Sequence, residues 1–108
     1  MIRLTILYNL PPDTDEAEFL RWRLGEHQQE NASVPGVLRT DFSRIDEQWT
    51  LAGVQPGAPY RFMTVVDFPD RASFEAGFLS EEAQTKLRQD IKSIDTPLFL
   101  ISEVLVST

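Results

Sequence analysis

The chain has 108 residues, 42% hydrophobic and 25% charged, and its 10 basic and 17 acidic side chains leave a net charge of −7. Such a composition suits one soluble globular domain and excludes the basic face that nucleic acid or an anionic membrane requires, so neither is expected as a partner. The absence of cysteine excludes disulfides, thiolate nucleophiles and sulfur-ligated metals, and a single histidine excludes multi-histidine sites, so no metal and no cofactor is expected.

The segment Met1 to Tyr8 carries one charge, Arg3, and reaches Asn9-Leu10-Pro11-Pro12-Asp13 too early for a signal-peptide apolar region. No apolar run approaches the about 20 residues of a bilayer span, and a cytoplasmic location is expected. Residues 2–9 alternate, with Ile2, Leu4, Ile6 and Tyr8 on one face of strand one. Pro11-Pro12 end that ladder, and Asp13 or Thr14 can cap helix one, expected over about residues 14–31. Its apolar stripe holds Ala17, Phe19, Leu20, Leu24 and His27, while Trp22 projects away.

Val34-Pro35-Gly36 interrupts the chain before strand two, about residues 37–45, whose charges suit a sheet edge. Residues 46–59 read as a covering loop, since Trp49, Leu51 and Val54 give it more apolar weight than a connector needs. Strand three is Tyr60 to Phe68, apolar at its centre on both sides. A second helical region follows over about 70–94, started by Asp70 and Ser73 and broken near Leu79-Ser80, where Ser80-Glu81-Glu82 restarts it. Strand four, Leu98 to Val106, is apolar on both faces.

The order βαββαβ is that of a ferredoxin-like α+β domain, with a four-stranded antiparallel sheet ordered 4-1-3-2 and two helices on one face. Two helices cover one face only, and Leu7, Met63, Val65, Phe99, Ile101 and Leu105 are expected on the other. An apolar surface of that size calls for a cover, and a two-fold homodimer with facing sheets supplies one. The alternative cover is the 46–59 loop folded over its own sheet.

The opening Met1-Ile-Arg-Leu-Thr-Ile-Leu-Tyr8, then Phe19, Glu26-His27, Val34-Pro-Gly-Val-Leu38, and Phe62 to Phe68 followed by Asp70, Ser73, Phe74 and Ser80-Glu81-Glu82 resemble the EthD-like family. The resemblance covers nearly the whole chain and implies a dimeric α/β barrel, in which two ferredoxin-like protomers pack sheet against sheet, each keeping a pocket. Members include an accessory protein of ether degradation and cofactor-free enzymes acting on lactones or aromatic polyketides. After His27 the chain departs from the family pattern, because Gln28-Gln29-Glu30 replaces a short residue, Pro and Leu and lets helix one continue.

His27 is the only side chain whose ordinary pKa lies near neutrality, which makes it the candidate general base, against the alternative of a ring packed at the helix end and bonded to a carbonyl or Glu26. Arg39 and Asp41 share one face of strand two. In a pocket Asp41 could act as base or orient His27, and Arg39 could hold a carboxylate or enolate oxygen. Otherwise they form a solvated edge-strand ion pair. Tyr8 offers a hydroxyl to a ligand or completes its strand, and Phe42, Trp49, Met63 and Phe78 suit an apolar ligand pocket or the core. Serine-nucleophile, phosphate-loop and zinc-helix signatures are absent. Relatives in the barrel group bind haem, for which His27 could be an axial ligand. The expectation drawn from all this is a cofactor-independent isomerase, lyase or oxygenase of a small hydrophobic metabolite, with a non-catalytic dimeric binding or accessory protein as the alternative.

Overall fold

The computed structural model describes residues 1–108. Its main sheet is built from β1 (Ile2–Asn9), β2 (Arg39–Arg44), β5 (Phe62–Phe68) and β6 (Asp95–Glu103), all antiparallel and ordered β2-β5-β1-β6. That is the 4-1-3-2 order expected of a ferredoxin-like α+β fold. Between β2 and β5, β3 (Glu47–Thr50) and β4 (Gly53–Pro56) form a separate hairpin. The expected covering loop is therefore a two-stranded ribbon that pairs with itself and leaves the main sheet uncovered. Leu51 at its tip is fully exposed, because a two-residue turn has no surface behind it on which to pack.

Helix one starts at Asp15, not at the expected Asp13 or Thr14: its carboxylate accepts the Ala17 and Glu18 amides, and Pro11 and Pro12 hold the preceding residues in a turn. It runs as α1 (Glu16–Trp22), a π-turn (Arg23–His27) and α2 (Gln28–Ala32), so it continues past His27 as the Gln28-Gln29-Glu30 segment implies. The second helical region is α3 (Arg71–Phe74), another π-turn (Glu75–Leu79), α4 (Glu81–Asp90) and a 3-10 turn (Ile91–Ser93). Ser80 is extended and caps α4 by accepting from the Ala83 amide, which is the break expected near Leu79-Ser80. No helix is long and apolar enough to cross a membrane.

Register decides the faces. Ile6 faces Phe99 and Leu4 faces Ile101 across β1 and β6, and directly opposed residues share a face. Phe99 and Ile101 therefore lie on the helix side, against the expectation drawn from alternation within strand four alone. Leu98 and Leu100 take their place on the open side with Leu7, Met63 and Val65. Leu105 lies beyond the end of β6 and belongs to neither face. On the helix side the core forms two groups, Leu4, Val66, Phe68 and Phe74 at one end and Tyr8, Phe19 and Phe62 at the other.

Candidate functional site

Between the two core groups, the helices stand off the sheet and leave a half-open cavity of about 180 Å³. An apolar cavity of roughly 150 Å³ accepts a benzene ring, so this space suits a molecule of single-ring size. Leu4, Ile6, Tyr8, Thr64 and Val66 form its floor, and Phe19, Trp22, Arg23 and His27 line it from helix one. Phe78, Leu87 and Ile91 line it from the second helical region.

The π-turn sets the geometry at helix one. Residues five apart on a regular α-helix point about 140° away from each other. The wider turn over Arg23–His27 instead stacks the Trp22 and His27 rings, with centroids 4.2 Å apart and planes inclined by 25°. Trp22 thereby finds the partner that a regular helix denies it. Arg23 turns inward and is 2% exposed, whereas Leu24, expected on the buried stripe, is 61% exposed.

Burial pulls the His27 pKa below its ordinary value, and the nearby Arg23 charge adds to that, outweighing Asp90 and Glu30. At neutral pH the ring is therefore uncharged and able to accept a proton. Its Nδ1 is buried without a hydrogen-bond partner, 3.6 Å from the Glu30 carboxylate, which Lys86 holds at 2.7 Å. Burial raises the Tyr8 pKa, while Arg23 and Thr64 pull it the other way, so the hydroxyl stays protonated.

Of the residues singled out in the sequence, the structure brings His27, Tyr8 and Phe78 to this cavity. Phe42 is on the helix side but behind the lining, stacked on Phe62 at 5.4 Å and lying 4.2 Å beneath the Arg23 guanidinium. Arg39 and Asp41 do not join the site. Arg39 and Asp41 oppose Asp67 and Val65, on the open side of the sheet, and bond each other at 3.1 Å as an exposed edge-strand pair. Met63 shares that open side, and Trp49, 69% exposed, stands on the hairpin. Residue alternation fixes these three strand positions on the face away from the helices. The site residues missing from the sequence reading are Trp22, Arg23 and Thr64. Apolar periodicity passes over a buried arginine, and no signal in the sequence marks the π-turn that faces it inward.

The lining does not fit a haem. Space for one ring is less than a tetrapyrrole needs.

The fold occurs in known proteins. An ethyl tert-butyl ether D (EthD) family protein from Bacillus halodurans superposes with a TM-score of 0.74 at 19% identity, covering 97% of this chain and 99% of that one. HapK from Hahella chejuensis superposes at 0.71 with 24% identity, covering 100% and 96%. SnoaB from Streptomyces nogalater, described as a cofactor-independent oxygenase, superposes at 0.67 with 10% identity, covering 98% and 94%. No curated protein matches the sequence. At these identities the superpositions establish the fold, and they agree with the EthD-like resemblance and the dimeric α/β barrel group. The model of the REDY-like protein HapK family matches residues 2–105, from the first residue of β1 to beyond the last of β6, and the chain belongs to that family.

Proposed function

We propose that the protein is a cofactor-independent enzyme of isomerase, lyase or oxygenase type, acting on a small hydrophobic metabolite in the helix–sheet cavity, with His27 as general base. The observation that carries this reading is an uncharged His27 on a largely apolar lining that also presents the Tyr8 hydroxyl. A neutral imidazole can take a proton from a carbon made acidic by an adjacent carbonyl, and a protonated phenol can donate a hydrogen bond to the oxygen where charge develops. The description of SnoaB as a cofactor-independent oxygenase agrees with chemistry of this type on this fold.

The same reading makes the protein a cytoplasmic homodimer through the open side of its sheet, where Leu98 and Leu100 are exposed beside Leu7, Met63 and Val65. Thermal-shift screening of small aromatic and alicyclic metabolites identifies the ligand, whose turnover is then followed. His27→Ala is expected to fold as the wild type and to abolish turnover. A wild type that binds the ligand and never converts it overturns the enzymatic reading.

A second reading, a non-catalytic binding or accessory protein, is favoured by one observation. With no partner on Nδ1, nothing fixes the His27 tautomer as an orienting carboxylate does in most acid–base sites. It predicts that His27→Ala weakens ligand binding and that no product forms.

A further inference from the structure

Arg23 is the least expected group in the cavity. A guanidinium remains charged inside a protein, and a charge withdrawn from water needs an opposite charge beside it. Arg23 is 2% exposed, yet none of the ion pairs of the protein includes it. Its Nη1 donates to the Gln28 amide oxygen and its Nη2 donates to Thr64 Oγ1 at 3.1 Å, both neutral acceptors. Phe42 lies beneath the plane at 4.2 Å. The Tyr8 hydroxyl lies beside the group as well, and since it too is neutral, no contact of the guanidinium answers its charge.

The surroundings hold the group in place without neutralising it. Gln28 is itself anchored by donating to the Thr40 carbonyl at 3.0 Å, so Arg23 is fixed from β2 through Gln28 and from β5 through Thr64. Tyr8 stays a phenol at neutral pH and supplies no counter-charge. Of the two carboxylates on the lining, Glu30 is taken by Lys86, and Asp90 forms no ion pair with Arg23. A positioned, desolvated cation on the wall of a largely apolar hollow suits an anionic ligand with an apolar body.

We propose that the cavity binds the anionic form of a single-ring or similarly sized conjugated acid, a carboxylate or enolate, with its charged oxygens on Arg23 and its apolar body against Trp22, Phe78 and Leu87. This inference rests on the cavity being the ligand site, and it sharpens the ligand class from a hydrophobic metabolite to a hydrophobic acid. An oxygen held there also receives the Tyr8 hydroxyl, so an enolate formed by proton loss to His27 would be stabilised where it arises.

The test uses three probes of one shape and different charge on the full chain at pH 7.5: benzoate, neutral benzamide and cationic benzamidine, titrated by calorimetry. Benzoate is expected to bind at least tenfold more tightly than benzamide, and benzamidine not measurably. Equal or tighter binding of benzamide, or no benzoate binding at millimolar concentration, overturns the proposal. Arg23→Met removes the charge at similar volume. It is expected to match or exceed the wild-type Tm, since an unpaired buried charge is lost, and to bind benzoate no better than benzamide. Retention of the benzoate preference in this variant overturns the assignment to Arg23. Arg23→Lys keeps the charge without the planar fork and is expected to lie between the two, which serves if the methionine variant fails to fold. Benzoate binding is read without turnover, so a protein that prefers benzoate but converts no substrate refutes the catalytic reading and leaves this one standing.

Discussion

His27 carries its proton less readily in the fold than in an open chain, because its ring is largely withdrawn from water and lies near the Arg23 charge. Below its ordinary pKa of about 6.5 the unfolded chain therefore binds more protons than the folded one, and stability must fall as pH drops through that window. Above about pH 6.5 both states are neutral at this position and the penalty vanishes. Glu16, Glu30 and Asp70 have pKa values below the ordinary carboxylate range, so their loss begins at lower pH and does not overlap. His27→Gln is expected to flatten the dependence of Tm on pH between about 6.5 and 5, as measured by thermal unfolding. Parallel curves for variant and wild type would mean that the ring titrates as if in water. The activity of an enzyme using this base would decline at a lower pH than an exposed histidine would give. His27 could be singled out in the sequence because only one histidine is present. Arg23, which governs much of its environment, could not, since charge on a helix ordinarily signals an outward position.

At the scale of elements, the two π-turns place Arg23, His27 and Phe78, and each interrupts a helix where it crosses the cavity. Strand phases, the proline breaks and the Ser80 restart were legible because each follows from local chemistry. The face of β6 was not, because alternation yields two faces without saying which is which, and only pairing with β1 fixes the choice. A close approach supports the second π-turn. A Cβ at Gly77 would lie 2.7 Å from Phe68 Cε1 and 3.2 Å from Val34 Cγ1. Gly77→Ala gains about 1 kcal/mol of helix propensity and meets about 1–3 kcal/mol of overpacking. The clash dominates, since the Phe68 ring is itself buried against Phe74, with centroids 5.6 Å apart, and has little room to retreat. A Tm lowered by several degrees is expected, with a smaller cavity and weaker ligand binding. An unchanged or raised Tm would mean that the Phe68 ring yields more easily than its packing implies.

The whole molecule is more open than is usual for a compact solitary domain of its mass. Its accessible surface of 7185 Å² exceeds by about 1,100 Å² the ~6,100 Å² expected of a 12.3 kDa monomer. Its radius of gyration, 14.9 Å, exceeds the ~13 Å of a compact chain of this length. Exposed apolar side chains mark where the surface is open: Trp49, Leu51 and Val54 on the β3–β4 hairpin, Leu105 and Val106 in the tail after β6, and Leu98 and Leu100 on the open side of the sheet. A stable interface takes roughly 800 Å² from each partner, which an excess of this size can supply. Leu100, 46% exposed in mid-strand opposite Thr5, lies on the side away from the cavity, so a charge there would be harmless to a monomer. Between two facing sheets the same charge is buried against its own symmetry copy, which opposes association twice over. Light scattering should therefore give about twice the 12.3 kDa chain mass for the wild type and the single-chain mass for Leu100→Glu, with the helical circular dichroism unchanged. A wild type of single-chain mass at every concentration would mean that the apolar strip is tolerated in water. A Leu100→Glu protein that stays dimeric would move the interface to another surface.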